Sequence, residues 1–223
     1  VIPNQPALKR SPPQIAGYDF YAIDLSTLLY PEQDLTVKQL PDGSIFLGLA
    51  DSVNLFGLNS RLEVLNQEKQ IINLAQIWQL LREASMETGP SDRSPKILLS
   101  LLYPQERILN YICTDFPAPL WLRQDGRLEE LLSQSAQNGT SVASSQALRL
   151  EPGEFLIFYT PGLTALKNGA QEDFGLMYLK SLILQNKHRP CEEIGLTISQ
   201  AGWQHHGQTS MPSSVLAILK VLD

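Results

Sequence analysis

Side chains able to do chemistry are few in this chain and poorly clustered. There are three histidines, His188, His205 and His206, and two cysteines, Cys113 and Cys191. The cysteines have no metal-ligand spacing, which favours buried free thiols over a disulfide framework or a zinc site. His205 and His206 with Cys191 or Asp223 make one conceivable metal cluster. Adjacent histidines on an extended chain face apart, so a solvated loop before the last strand is the better reading. Ser100 and Ser210 have no base near them in sequence, which leaves nucleophilic serine chemistry without support. Asp51, taken alone, reads as a turn or capping residue. Trp78 and Trp121 suit core or half-buried positions, and Trp203 suits an exposed contact.

The bulk numbers narrow the class. The chain has 223 residues, 43% hydrophobic and 18% charged, with 17 Lys and Arg against 23 Asp and Glu and a net charge of −6. That length can bury a sizeable core. The acidic balance argues against a nucleic-acid partner, because phosphate-backbone binding needs a positive field. No apolar run approaches the roughly 18–20 residues that cross a bilayer, so no membrane association is expected. Free thiols without a signal peptide point to the cytoplasm. The chain begins on Val1 and reads as a piece of a longer one, with residues 1–16 as a proline-rich linker leading into a single domain, 17–223.

The elements that must position these residues follow from local patterns. Tyr18–Leu25 alternates like a strand. Leu40-Pro41-Asp42-Gly43 is a turn followed by the apolar run Ser44–Ala50, which predicts an antiparallel pair. Ser60 and Glu63 have capping-box spacing, and Ile71, Leu74, Ile77, Trp78 and Leu81 form a helical stripe within Asn59–Met86. Strands are expected at Ile97–Tyr103, Ile108–Cys113, Leu120–Arg123 and Phe155–Thr160, with a hairpin signal at Asp125-Gly126. Residues 133–147 are rich in Ser and Gln and read as a loop. Helices are expected over Glu172–Asn186 and from Pro190, whose following Glu192 and Glu193 suit the positive end of a helix dipole. An apolar strand, Val215–Leu222, closes the chain. Strand pairs joined by tight turns, with helices grouped between them, predict an α+β sandwich.

The order of short motifs then carries a resemblance. Leu150-Glu151-Pro152-Gly153-Glu154, an apolar strand, Tyr159-Thr160-Pro161-Gly162 and a later Phe174-Gly175 resemble L-x-P-G-D, Y-T-D-G and F-G of the sporulation stage II protein E family. That family is a bacterial branch of the metal-dependent protein phosphatase 2C superfamily. Ala50-Asp51-Ser52-Val53-Asn54-Leu55-Phe56-Gly57 is similar to its A-D-V-x-G-H-G loop, and Thr114–Leu120 sits where it has A-G-H-x-P-P-L. Ser213-Ser214-Val215 matches the start of its D-D-x-T strand.

The resemblance implies a four-layer α-β-β-α sandwich of two mainly antiparallel sheets flanked by helices. In active members it also implies two Mg²⁺ or Mn²⁺ ions and hydrolysis of phosphoserine or phosphothreonine. The motif positions depart from that chemistry. The early G-G-D aspartate falls on Gln33, the Y-T-D-G aspartate on Pro161, the D-D pair on Ser213 and Ser214, and the A-G-H histidine on Phe116. Asp51 alone keeps its carboxylate, as a remnant metal position. Two divalent cations bring about +4 of charge, which one carboxylate cannot balance. Glu32, Asp34 and Asp42 are the conceivable substitutes, against stringent coordination geometry. The expectation is therefore a pseudophosphatase: no catalytic residue, no cofactor unless residual activity uses Mg or Mn, and a protein-binding role in bacterial signalling. Its expected partner is an anti-anti-sigma-like or other phosphoprotein, and a homodimer is possible. The alternative is a divergent metal-dependent phosphoserine/phosphothreonine protein phosphatase.

Overall fold

A computed structural model describes residues 8–10, 14–25, 35–51, 73–87, 96–131, 145–207, 212 and 214–223. The predicted Leu40–Gly43 turn forms. Gly43 takes a φ of 83°, its N–H donates to the Leu40 carbonyl, and the turn joins β3 (Leu35–Gln39) to β4 (Ile45–Asp51). Glycine is the residue that adopts this φ without a Cβ clash. Asp42 accepts hydrogen bonds from the Ser44 N–H and hydroxyl at 2.9 and 2.6 Å, so this acid is engaged in its own turn.

The chain divides into two compact units. The second spans Glu32–Ala118 and Leu132–Leu150. Its antiparallel sheet has the order β3-β4-β5-β6-β9, with β5 at Lys96–Tyr103, β6 at Ile108–Thr114 and β9 at Gln146–Arg149. Helix α1 (Leu74–Glu87) lays Leu74, Ile77, Trp78 and Leu81 on Phe46, Ile97, Leu99 and Leu101. Its start is a reciprocal cap: the Gln76 N–H donates to Asn73 Oδ1 and the Asn73 N–H donates to Gln76 Oε1, each at 3.0 Å. This arrangement satisfies two otherwise orphaned donors. The Ser60–Glu63 capping signal lies outside the described residues. Both faces of β5 are buried, and this is why its sequence is a continuous apolar run without alternation.

The first unit comprises Val1–Pro31, Pro119–Leu131 and Glu151–Asp223. Its antiparallel sheet has the order β1-β2-β11-β10-β7-β8. The strands are β1 (Leu8–Arg10), β2 (Tyr18–Asp24), β7 (Leu120–Leu122), β8 (Leu128–Glu130), β10 (Phe155–Tyr159) and β11 (Val215–Val221). β1, within the proline-rich N-terminal segment, pairs antiparallel with β2. One face of this sheet carries Tyr21, Ile23, Phe155, Ile157, Leu216 and Ile218 against α3 (Leu176–Asn186) and α4 (Cys191–His206).

Two expectations about helices are corrected. Glu172 and Asp173 do not begin a helix. They close a hairpin with Lys167, and α3 starts only after Gly175, whose φ of 78° interrupts any helical path from Asp173. His205 and His206 are not in a loop but in the last turn of α4, capped by Gly207 in the left-handed region at φ 65°. Cys191 sits at the opposite end of α4, so the His205–His206–Cys191 cluster does not form.

The start of α4 is held from a distant strand. Pro190 makes no side-chain cap, and Asp19 on β2 accepts the Cys191 N–H at 2.7 Å. The helix also crosses β2 at Gly195, where a Cβ would collide with Cδ1 and Cε1 of Tyr21. Gly195→Ala is therefore expected to lower stability by about 1–3 kcal/mol, read as the free energy of unfolding in urea, because the core ring must move. Gly169→Ala, with open space around it, is the control expected to stay within about 0.5 kcal/mol.

Candidate functional site

The positions expected to carry metal ligands fall partly at one end of the first unit's sheet. There β11 begins between the ends of β2 and β10, with Val215 opposite Asp24. On the other side the Thr160 N–H donates to the Val215 carbonyl at 3.1 Å, and the Val215 N–H donates to Thr160 Oγ1 at 2.9 Å. The Leu25 N–H donates to the Ser214 carbonyl at 2.8 Å. The fold thus brings Pro161 and Ser214, remote in sequence, to one edge.

What they offer there is chemically poor. Pro161 opens the one-turn helix α2 (Pro161–Thr164), and its carbonyl already accepts the Ala165 N–H and the Thr164 hydroxyl. Proline at the first helical position costs nothing, since that N–H would be unpaired anyway. Ser214 is fully buried, and its hydroxyl has no hydrogen-bond partner among the described residues. Alternation along β11 puts Ser214 on the same face as Leu216 and Ile218, towards α3 and α4. Thr160 Oγ1 is already spent on the Val215 amide.

Sequence reasoning passed over one acid at this edge. Asp24 ends β2 and is 1% exposed, on the sheet face shared by Val215 and Thr160. Its signal is a carboxylate set between apolar residues in Tyr18–Leu25, a pattern that by itself predicts only strand alternation.

In the second unit, Asp51 is the last residue of β4 and pairs in register with Lys96. Phe116, at the histidine position, is buried, and its carbonyl accepts from the Cys113 thiol at 3.2 Å. The Ser100 hydroxyl donates to the Leu47 carbonyl, a structural use. Gln33, Ser213, Glu32, Asp34 and Ser210 lie outside the described residues. Trp78 is buried; Trp121 and Trp203 are half-buried, with the Trp121 indole donating to Glu154 and Arg123 stacked over its ring.

A pair of hard divalent cations needs several carboxylate oxygens in near-octahedral array. The described groups do not fit that demand: a proline, a neutral serine facing the helices and a threonine already engaged stand beside one carboxylate. Among the described residues no three His, Cys, Asp or Glu side chains come together. No helix among them is long and apolar enough to cross a membrane.

Two antiparallel sheets with helices on them match the fold of phosphatase 2C-type domains. The chain resembles the RsbU and RsbW domains of a Mycobacterium tuberculosis protein with a TM-score of 0.70 at 14% identity, covering 94% of this chain and 61% of that one. It resembles the phosphatase domain and regulatory fragment of SpoIIE from Bacillus subtilis with a TM-score of 0.69 at 10% identity, covering 92% and 63%. The catalytic domain of the serine/threonine phosphatase PstP, in complex with two manganese ions, matches with a TM-score of 0.56 at 12% identity, covering 92% and 99%. The chain therefore spans less than two thirds of the first two relatives. None of the curated proteins matches it in sequence.

The family model for Stage II sporulation protein E (SpoIIE) matches residues 48–209, and the chain belongs to that family. Among its structural neighbours, the PstP catalytic domain is that of a serine/threonine phosphatase and holds two manganese ions.

Two measurements test this geometry. Thr160→Val removes the acceptor of the Val215 amide within a buried edge, and should cost about 1–3 kcal/mol in chemical unfolding. Ser214→Ala deletes a buried hydroxyl that makes no bond, and should be neutral or stabilising on the same assay. Both thiols are buried, and burial beside the Asp19 carboxylate pushes the Cys191 thiol far up. A thiol reagent at pH 8 should accordingly titrate no cysteine in the folded protein and two after unfolding.

Proposed function

We propose that this domain is a catalytically degenerate phosphatase 2C-like module that works by binding a protein in bacterial signalling. The observation that carries the reading is Pro161. At the position where the family places a metal-binding aspartate, the side chain has no oxygen and the carbonyl is committed to α2. Gln33, Ser213 and Ser214 at the other ligand positions add only neutral oxygens, which compete poorly with the hydration shell of Mg²⁺. Asp51 then serves as a relic of the site.

The partner class follows from kinship. Structural relatives include a chain that joins RsbU and RsbW domains and the phosphatase domain of the cell fate determinant SpoIIE. An anti-anti-sigma-like protein or another phosphoprotein is the corresponding partner for this chain, with the domain acting in the cytoplasm as output of a longer chain. A homodimer is compatible with this role.

The second reading is a divergent phosphatase that uses Mg or Mn at Asp51. Isothermal titration with millimolar Mn²⁺, combined with a phosphate-release assay on a phosphoserine protein, separates the two. Degeneracy predicts no saturable metal binding and no turnover above background, with no difference between the parent and Asp51→Ala. Mn²⁺-dependent release that Asp51→Ala abolishes would establish the phosphatase instead.

A further inference from the structure

We draw no further inference here: the strongest candidate, the outer surface of α3 and α4 where Met177, Tyr178, Leu184 and Leu196 are exposed, carries nothing because no feature among the described residues shows what covers it.

Discussion

The reciprocal pair of hydrogen bonds between Thr160 and Val215 is the constraint on which the site end of the first unit depends. β11 lies between β2 and β10, and its first residue is fixed by backbone on both flanks. A threonine hydroxyl takes the Val215 amide where no strand partner continues, so a buried donor is not left unpaired. With that end pinned, Pro161 and Ser214 must sit together, and Asp24 must lie buried on the adjoining strand. The same pin engages the Thr160 hydroxyl.

Loss of a metal site need not cost the fold. Stability here comes from apolar burial within each unit, where Phe155, Ile157, Leu216 and Ile218 meet α3 and α4 and where α1 covers Phe46, Ile97 and Leu99. Clustered carboxylates without their cations repel one another, and replacing them with serine, glutamine or proline removes that repulsion. Proline at the start of α2 adds a preset φ at a place where its missing N–H does no harm. Binding surfaces on such a domain can persist after its chemistry has gone.

Much of the fold was legible because local signals and tertiary demands agree. The Leu40–Gly43 and Glu151–Glu154 turns, the strand ends near Tyr103 and Tyr159, and the start of α4 after Pro190 all carry Pro or Gly at positions whose φ they suit. The misreadings arose where distant groups decide. Glu172 and Asp173 look helical by composition, yet Gly175 and the Asn168 tip hold them in a hairpin. His205 and His206 look like loop residues until α4 is seen to run on to Gly207. Asp19 caps a helix that begins 172 residues later, a relation no local pattern encodes. Motif order alone pointed to Pro161 and Ser214, which the fold brings to one edge, whereas Asp24 belongs to no motif and became visible only through its burial.

The central claim is that the acids needed to hold a metal pair have been lost. Crystals grown with excess Mn²⁺ and measured at the manganese absorption edge test it most directly. The account predicts no ordered anomalous peak beside Asp51 or at the Thr160–Ser214 edge. A pair of strong peaks there, with Asp51 as a shared ligand, would contradict it.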